Sequence, residues 1–212
     1  MAFSSFDMVQ PSKITSAKIL IAGGFGVGKT TMVGAVSEIA PLSTEELISA
    51  ESEGVDDLSG VESKVTTTVA LDFGRITVNP SLILYLFGTP GQERFRFFWD
   101  ELAAGALGAV VLADIRRLDD SFATIDFFES RRLPFVVGVN YFDGAHRYRL
   151  SDLRAALDLE DQVPMRYCDA RSRDSCKQLL VGLTEHLLTR LESVPDQPIS
   201  GTPASPAIRL DR

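Results

Sequence analysis

The chain has 212 residues, a formal net charge of −8 and a sequence pI of about 4.8. This acidity argues against a protein whose main ligand is nucleic acid, because the phosphate backbone binds basic surfaces. No apolar run approaches the ~20 residues of a membrane span, and the start MAFSSFDMVQPSK does not resemble a signal peptide. The two cysteines, Cys168 and Cys176, fit reduced cytoplasmic thiols better than a disulfide framework.

The order of the predicted elements indicates one α/β domain over residues 16–192. Residues 1–15 predict a flexible lead-in, and the proline-rich stretch 193–212 predicts a disordered tail. Strands alternate with helical patterns, which predicts a mostly parallel six-stranded sheet with one antiparallel edge strand and helices on both faces. The predicted strands are 17–23, 69–78, 81–88, 108–114, 134–140 and 164–170, and the helices are 28–39, 119–131, 151–158 and 172–192.

An acidic insert rich in small residues occupies positions 41–66, between the first helix and the second strand. It is interpreted either as a solvated surface loop or as an extended mobile switch region, and its position favours the second. The chain starts with Met-Ala and lacks a C-terminal Cys-a-a-X, so a direct lipid anchor is not indicated.

The stretch GGFGVGKT, residues 23–30, follows a predicted strand and opens a predicted helix, the context in which Gly-x4-Gly-Lys-Thr binds phosphate. Backbone N–H groups curl around the phosphate there, and the helix N-terminus adds partial positive charge. Lys29 is expected to reach the β- and γ-phosphates, and the Thr30 hydroxyl to ligate Mg²⁺. The alternative is a structural glycine-rich turn. The expected nucleotide-contacting residues are Gly23, Gly24, Phe25, Gly26, Val27, Gly28, Lys29, Thr30 and Thr31.

The choice of base is predicted from VNYFDG, residues 139–144, which follow a buried strand. The Asp143 carboxylate can accept hydrogen bonds from guanine N1–H and the 2-amino group, whereas adenine presents no such pair of donors. Asn140 stands three residues earlier, in an Asn-x-x-Asp spacing whose usual lysine is replaced by Tyr141. The alternative is an ordinary Asp-Gly turn. GTP or GDP is therefore the predicted ligand, with Mg²⁺.

In this order the motifs resemble those of the Ras-like small GTPases over residues 17–192; two further matches are TTT (66–68) and GTPGQERF (88–95). Within that superfamily the chain resembles the bacterial MglA-like branch. More narrowly, it is similar to the actinobacterial conservon GTPases, in which GTPGQ, Asn-x-Phe-Asp-Gly and Asp-Ala-Arg occur together. The resemblance implies a P-loop G domain, with switch I in the insert 41–66 and switch II at 88–104, that hydrolyses GTP slowly as a signalling switch.

The resemblance also implies roles for single residues. Gly91 would sense the γ-phosphate through its backbone N–H, Gln92 would orient the attacking water, and Lys29 would stabilise the transferred charge. Arg94, or Arg96 beside it, is interpreted either as an internal arginine finger or as an ordinary surface arginine. Thr68 is favoured over Thr66 and Thr67 as the switch threonine that reaches Mg²⁺.

The stretch CDAR, residues 168–171, lies where guanine-binding proteins carry Ser-Ala-Lys. The Ala170 backbone N–H would bind guanine O6, and Arg171 takes the lysine position. Ala170 and Asn140 are separated by one helix and one strand, which suits contacts from adjacent loops.

Gly88 stands where the resemblance leads one to expect the aspartate that holds a water of the Mg²⁺ shell. The strands 69–78 and 81–88 are joined across Asn79-Pro80, which predicts an antiparallel pair. A three-residue connection places Asp72 directly opposite Gly88, and a two-residue turn places it opposite Phe87. Because directly opposed residues share a face, Asp72 is the candidate replacement carboxylate. The alternative is a partly exposed strand carboxylate.

Four aromatic residues crowd the run FRFFWDEL, at positions 95, 97, 98 and 99. One helix face cannot bury all four, so one or two are expected to be exposed for a partner.

For conservon-type relatives, the resemblance implies a roadblock-type protein, a small helper protein and a sensor-kinase-like membrane protein as partners. A cytoplasmic location follows, with recruitment to the membrane through a partner as an option. A rival function is a nucleotide-binding scaffold without turnover, which Gly88 and Tyr141 favour and the retained Lys29, Thr30 and Gln92 oppose. A third, an ATP-using enzyme, would need a second catalytic constellation.

Overall fold

A seven-stranded sheet organises the protein in the computed structural model, which describes residues 14–40, 42–49, 66–91 and 93–192. The side chains of 42–49, 66–70, 93 and 94 lie outside this description. The strand order is β2-β3-β4-β1-β5-β6-β7. The strands are β1 (Thr15–Gly23), β2 (Leu42–Ser49), β3 (Thr66–Asn79), β4 (Leu82–Gly88), β5 (Ala106–Asp114), β6 (Phe135–Asn140) and β7 (Met165–Cys168).

The predicted α/β fold class is confirmed, and the sheet contains one strand more than expected. Strands β1 and β3–β7 correspond to the six predicted strands, and within the described sheet only β3 runs opposite to the other six strands. The seventh strand, β2, lies within the insert 41–66, so the antiparallel β3 is second from the edge and not the edge strand itself. The sequence LSTEELIS has no strong strand propensity, and β2 forms by backbone pairing to the open edge of β3.

Helices cover both faces of the sheet, as predicted. They are α1 (Lys29–Val36), α2 (Trp99–Ala103), α3 (Phe122–Ser130), α4 (Leu150–Ala156) and α5 (Arg173–Glu192). Alternate β1 residues enter the two separate apolar clusters: Ile19 and Ile21 join one with α1 and α5, and Leu20 and Ala22 join the other with α3. A strand buried on both faces explains the continuous apolar run that predicted it. None of the helices in the described ranges is long and apolar enough to cross a bilayer.

From Asp72 to Thr77 the β3–β4 hairpin has the register expected for the three-residue connection, but the turn itself differs from the prediction, because Asn79 pairs with Leu82 and an irregularity between Thr77 and Asn79 shifts the register. Asp72 pairs directly with Gly88, and the pairing continues outward through Phe73 with Phe87. The Asn79 side chain closes the turn by accepting a hydrogen bond from the Ser81 N–H at 2.8 Å. The sequence-based placement of Asp72 opposite Gly88 is therefore confirmed.

The aromatic run after β4 divides between core and solvent. A 3₁₀ segment, Glu93–Phe98, leads into α2. Phe95 and Trp99 are buried, while Phe97 is 59% exposed. The Trp99 indole N–H donates to the Pro90 carbonyl at 3.1 Å and thereby fastens this segment to the end of β4. The expectation that not all four aromatic residues could be buried is confirmed.

Two glycines provide an internal test of this packing. A Cβ at Gly182, inside α5, would meet no atom within 4 Å, whereas a Cβ at Gly108, in β5, would lie 2.8 Å from the Pro134 carbonyl oxygen. We expect Gly182→Ala to raise the free energy of unfolding by about 0.5–1 kcal/mol, because alanine loses less backbone entropy in a helix. Gly108→Ala should lower it by about 1–3 kcal/mol through overpacking. Urea unfolding at unchanged m-value measures both, and equal effects would contradict the packing described.

Candidate nucleotide-binding site

The loop of residues 24–28 joins β1 to α1 and curls back on itself. Gly28 has a φ of 108°, and a Cβ there would lie 2.7 Å from the Asn140 side-chain nitrogen, so only glycine fits. Gly28 is also the N-cap of α1 and has no side-chain capping bond. No capping side chain therefore occupies this helix N-terminus, which leaves its N–H groups available to an anion.

Lys29 is turned inward onto the same loop. Its side chain is 8% exposed, and Nζ donates to the Gly23 carbonyl at 2.9 Å and to the Gly24 carbonyl at 2.7 Å. Burial lowers the pKa of Lys29 to about 8, with Asp72 opposing the shift. A buried ammonium held by two backbone carbonyls is suited to binding phosphate oxygens.

Gly91 lies directly against the phosphate loop, as the γ-phosphate-sensing role requires. A Cβ on Gly91 would be 2.5 Å from Lys29 Nζ and 2.9 Å from the Phe25 nitrogen. Any larger residue would therefore have to displace the loop. The Phe25 side chain itself is 63% exposed.

Thr30 and Asp72 meet beside this loop. The Thr30 hydroxyl donates to Asp72 Oδ2 at 2.6 Å. The space for the Asp72 side chain exists because its partner is Gly88: a Cβ there would lie 2.9 Å from both Asp72 Cβ and Oδ2. Hydroxyl and carboxylate oxygens are ligands that Mg²⁺ prefers, so these two residues fit a magnesium site. In the described ranges no cluster of three or more His, Cys, Asp or Glu exists, so phosphate oxygens and water would supply the other ligands.

Asn140, at the end of β6, joins the phosphate loop to the loop after β7. It is 4% exposed; its Nδ2 donates to the Val27 carbonyl at 2.8 Å, and its Oδ1 accepts from the Ala170 N–H at 2.9 Å. The predicted residues Asn140 and Ala170 are thus brought together. The Ala170 N–H, expected to bind guanine O6, is engaged by Asn140 in this structure.

Asp143 and Arg171 form an ion pair that the sequence analysis did not predict. The guanidinium donates from Nη1 to Asp143 Oδ2 at 2.9 Å and from Nη2 to Oδ1 at 3.2 Å. It also contacts Asp169 through Nε at 2.9 Å and Nη2 at 3.0 Å. The hydrogen bond from Arg171 holds the pKa of the Asp143 carboxyl below its usual value.

Two aromatic rings beside Asp143 are covered by arginines. The Arg147 guanidinium carbon lies 4.5 Å from the Tyr141 ring centroid, and that of Arg116 lies 3.6 Å from the Phe142 centroid. Arg116 is fixed in turn by Asp114, a buried carboxylate at the end of β5. These contacts stabilise the 141–143 turn without the lysine that usually follows Asn140.

The segment after β5 also contacts the phosphate loop, which the sequence analysis missed. An Arg117 side-chain N–H donates to the Phe25 carbonyl, and a Cβ at Gly24 would lie 2.8 Å from Asp120 Cβ. The available signal was the polar sequence DIRRLDD directly after a buried strand, because the carboxyl ends of parallel strands meet at one edge.

Several predicted residues stay predictions. Gln92 lies outside the described residues, as do the side chains of Arg94 and of Thr66, Thr67 and Thr68, although the three threonines belong to the backbone of β3. The guanidinium carbon of Arg96 lies 5.8 Å from the Trp99 ring centroid. Thr31 is exposed on the first turn of α1.

Solved structures with the same fold are G domains. The chain aligns with the G domain of the FeoB iron transporter of T. maritima at 17% identity and a TM-score of 0.57, covering 81% of this chain and 99% of that one. The FeoB G domain of Methanococcus jannaschii gives 13% identity and a TM-score of 0.56, covering 82% and 99%. The fold and the phosphate loop together define a nucleotide-binding protein with a G-domain fold.

The sequence comparisons identify the family. The chain belongs to the family described as "Conserved hypothetical ATP binding protein", which it matches over residues 21–190. It is 32% identical over 135 residues to the uncharacterized protein MJ1339 of Methanocaldococcus jannaschii, covering 62% of this chain and 73% of that one. It is 23% identical over 186 residues to the GTP-binding protein yptV2 of Volvox carteri, covering 82% and 76%.

The Asn140 bridge is tested without any ligand. Asn140→Ala leaves the Val27 carbonyl and the Ala170 N–H without their partner in a buried place, and we expect the free energy of unfolding to fall by about 1–3 kcal/mol. The matched control is Asn79→Ala, which removes one exposed turn contact to Ser81 and should cost less than about 1 kcal/mol. Urea unfolding of both variants decides the point. Equal losses of unfolding free energy in the two variants would show that the buried bridge contributes no more to stability than the exposed turn contact.

Proposed function

We propose that the protein is a small GTP-binding protein that cycles between GDP and GTP states, hydrolyses GTP slowly and acts as a switch for protein partners. The observation that carries this proposal is the Asn140 bridge. It joins the phosphate loop to the 168–171 loop, and Arg171 of the second loop contacts Asp143 in turn. A phosphate-binding loop tied to a carboxylate that can accept two parallel hydrogen bonds suits a guanine nucleotide.

Guanine is proposed over adenine, although the family description names ATP. Both Asp143 carboxylate oxygens face hydrogen-bond donors, since each accepts from the Arg171 guanidinium, and that hydrogen bond holds the pKa of the carboxyl below its usual value. Guanine N1–H and the 2-amino group complement such an acceptor pair, whereas adenine presents no such pair of donors and gains no hydrogen bonds there.

For hydrolysis, the proposed roles are those of positioning and charge stabilisation. Lys29 exchanges its two carbonyl partners for phosphate oxygens, Gly91 donates its backbone N–H to the γ-phosphate, and Gln92 orients water. When bound, Mg²⁺ would neutralise charge on the β- and γ-phosphates. A scaffold without turnover is the second candidate, favoured by Gly88 at the position of the expected aspartate.

A binding and single-turnover experiment tests the proposal. We expect GDP and GTP to displace a fluorescent guanine nucleotide at concentrations at least about a hundredfold below ATP, because adenine cannot satisfy Asp143. Asp143→Ala should remove most of this preference, and Lys29→Ala should abolish binding of all three. The matched control is Asp161→Ala, an exposed carboxylate in another loop.

The same protein decides between the switch and the scaffold. Release of phosphate from prebound GTP at a rate that Gln92→Ala lowers would support turnover. Stable retention of GTP over hours, with wild type and Gln92→Ala alike, would establish the scaffold. ATP competing as well as GTP would overturn the guanine assignment.

We further propose that Asp72 supplies the magnesium-shell carboxylate that Gly88 lacks. It already contacts Thr30, another of the proposed ligand residues, at 2.6 Å, and its side chain fills the space that glycine leaves. Because Asp72 and Gly88 are directly paired, a carboxylate on either strand would reach nearly the same place.

Moving the carboxylate across the hairpin tests this assignment. Asp72→Gly should raise the Mg²⁺ concentration needed for tight GDP retention by about 10- to 100-fold, the usual effect of losing a group that orients a metal shell. Adding Gly88→Asp to that variant should restore most of the loss, because removal of the Asp72 side chain leaves room for the new carboxylate. The readout is the GDP dissociation rate against Mg²⁺ concentration, with Asp152→Asn in α4 as control. An unchanged Mg²⁺ dependence in Asp72→Gly would contradict the assignment.

The finer branch and the partners belong to the proposal as well. The motifs GTPGQ and NYFDG support a conservon-type member of the MglA-like branch, which would act with roadblock-type and sensor-kinase-like proteins. The exposed Phe25 and Phe97 lie on the phosphate loop and the switch II segment, where a partner that distinguishes nucleotide states would bind.

A further inference from the structure

Arg171 occupies the acceptor atoms that the proposed function assigns to guanine. Two guanidinium nitrogens donate to the two different oxygens of Asp143, at 2.9 and 3.2 Å. Guanine N1–H and its 2-amino group present the same arrangement of two parallel donors. The arginine therefore presents to Asp143 the same pair of donors that the edge of guanine would present.

The guanidinium also pairs with a second carboxylate, that of Asp169. Nε and Nη2 donate to the two oxygens of Asp169, at 2.9 and 3.0 Å, and the Arg171 backbone N–H also donates to Asp169 at 2.9 Å. Nη2 is therefore shared between Asp169 and Asp143. If Arg171 loses its contact with Asp143, it remains paired with Asp169. The base can therefore replace the arginine on Asp143 without leaving the guanidinium charge unpaired.

Solvent exposure limits the strength of the ion pair between Arg171 and Asp143. The side chains of Arg171 and Asp143 are 54% and 77% exposed. Exposed ion pairs contribute little, and a bidentate one lies at the upper end of that range. The contact is strong enough to compete with the base and weak enough to be displaced by it.

We infer that Arg171 is an internal competitor of guanine: it pairs with Asp143 while the base is absent, and the base displaces it from Asp143 and leaves it on Asp169 alone. This inference rests on the proposed guanine site. In this role Arg171 lowers the affinity for the nucleotide, whereas a residue that supports the bound base would raise it. Guanine exchanges one bidentate pair for another, while adenine cannot make the exchange. The arginine thereby limits how tightly guanine binds to Asp143.

The test is the affinity for GDP, measured with a fluorescent analogue at fixed Mg²⁺. Arg171→Ala should raise the affinity by about two- to fivefold, mainly through faster association, because the carboxylate is then free. Asp169→Asn should lower it, since Arg171 loses its alternative anchor and stays longer on Asp143. Arg166→Ala, on β7 and bonded to the Gln178 carbonyl, is the matched control and should change nothing.

Two further measurements test whether the gain in affinity arises from the contact between Arg171 and Asp143. In an Asp143→Ala background the gain from Arg171→Ala should vanish, because there is no carboxylate left to compete for. The ratio between variant and wild type should also shrink as salt is raised, since salt screens an exposed pair.

The possible failures differ from one another. A wild-type protein that binds GDP, with Arg171→Ala binding it more weakly, would overturn the competitor role and leave the guanine site standing. A gain that persists in the Asp143→Ala background would also overturn it. A wild-type protein that binds no guanine nucleotide would overturn the proposed function and this inference together.

Discussion

One buried amide determines how this protein holds its site together. Asn140 uses both ends of its side chain on backbone groups, one in the phosphate loop and one in the loop after β7. The two loops follow different strands, β1 and β7. An unpaired buried polar group costs more than a made hydrogen bond gains, so the bridge fixes both loops at one separation. The rest of the site is built on that separation.

Sequence patterns predicted the parts of the site that local chemistry specifies. The glycine-rich loop, Lys29 and Asn140 were found because each has a spacing that phosphate or loop contacts demand. Asp72 was found differently: the two registers considered for the Asn79-Pro80 turn place it opposite Gly88 or Phe87, and an irregularity between Thr77 and Asn79 sets the register that pairs it with Gly88. In each case the residues that determine the geometry lie within a short stretch of the chain.

What was missed depends on contacts between distant segments. The edge strand β2 gains its backbone bonds from β3, and its own composition did not indicate a strand. The adjacency of the loops that carry Asp143 and Arg171 was expected, yet nothing in the motif shows that the arginine would select that carboxylate over solvent. The contact of Arg117 with the phosphate loop likewise requires the β5 end to be placed first.

The transfer of a carboxylate from one strand of a hairpin to the other has a mechanical consequence. In the proposed arrangement Asp72 belongs to β3 and is held by the ladder with β4, whereas Gly91 belongs to the segment that follows the ladder. The metal-facing group and the phosphate-sensing group therefore stand on separately anchored pieces of chain. In that arrangement the segment around Gly91 would rearrange with the γ-phosphate while Asp72 keeps its place in the metal shell. Ion retention and signal output would then be separate motions, which a shared Asp-x-x-Gly segment would couple.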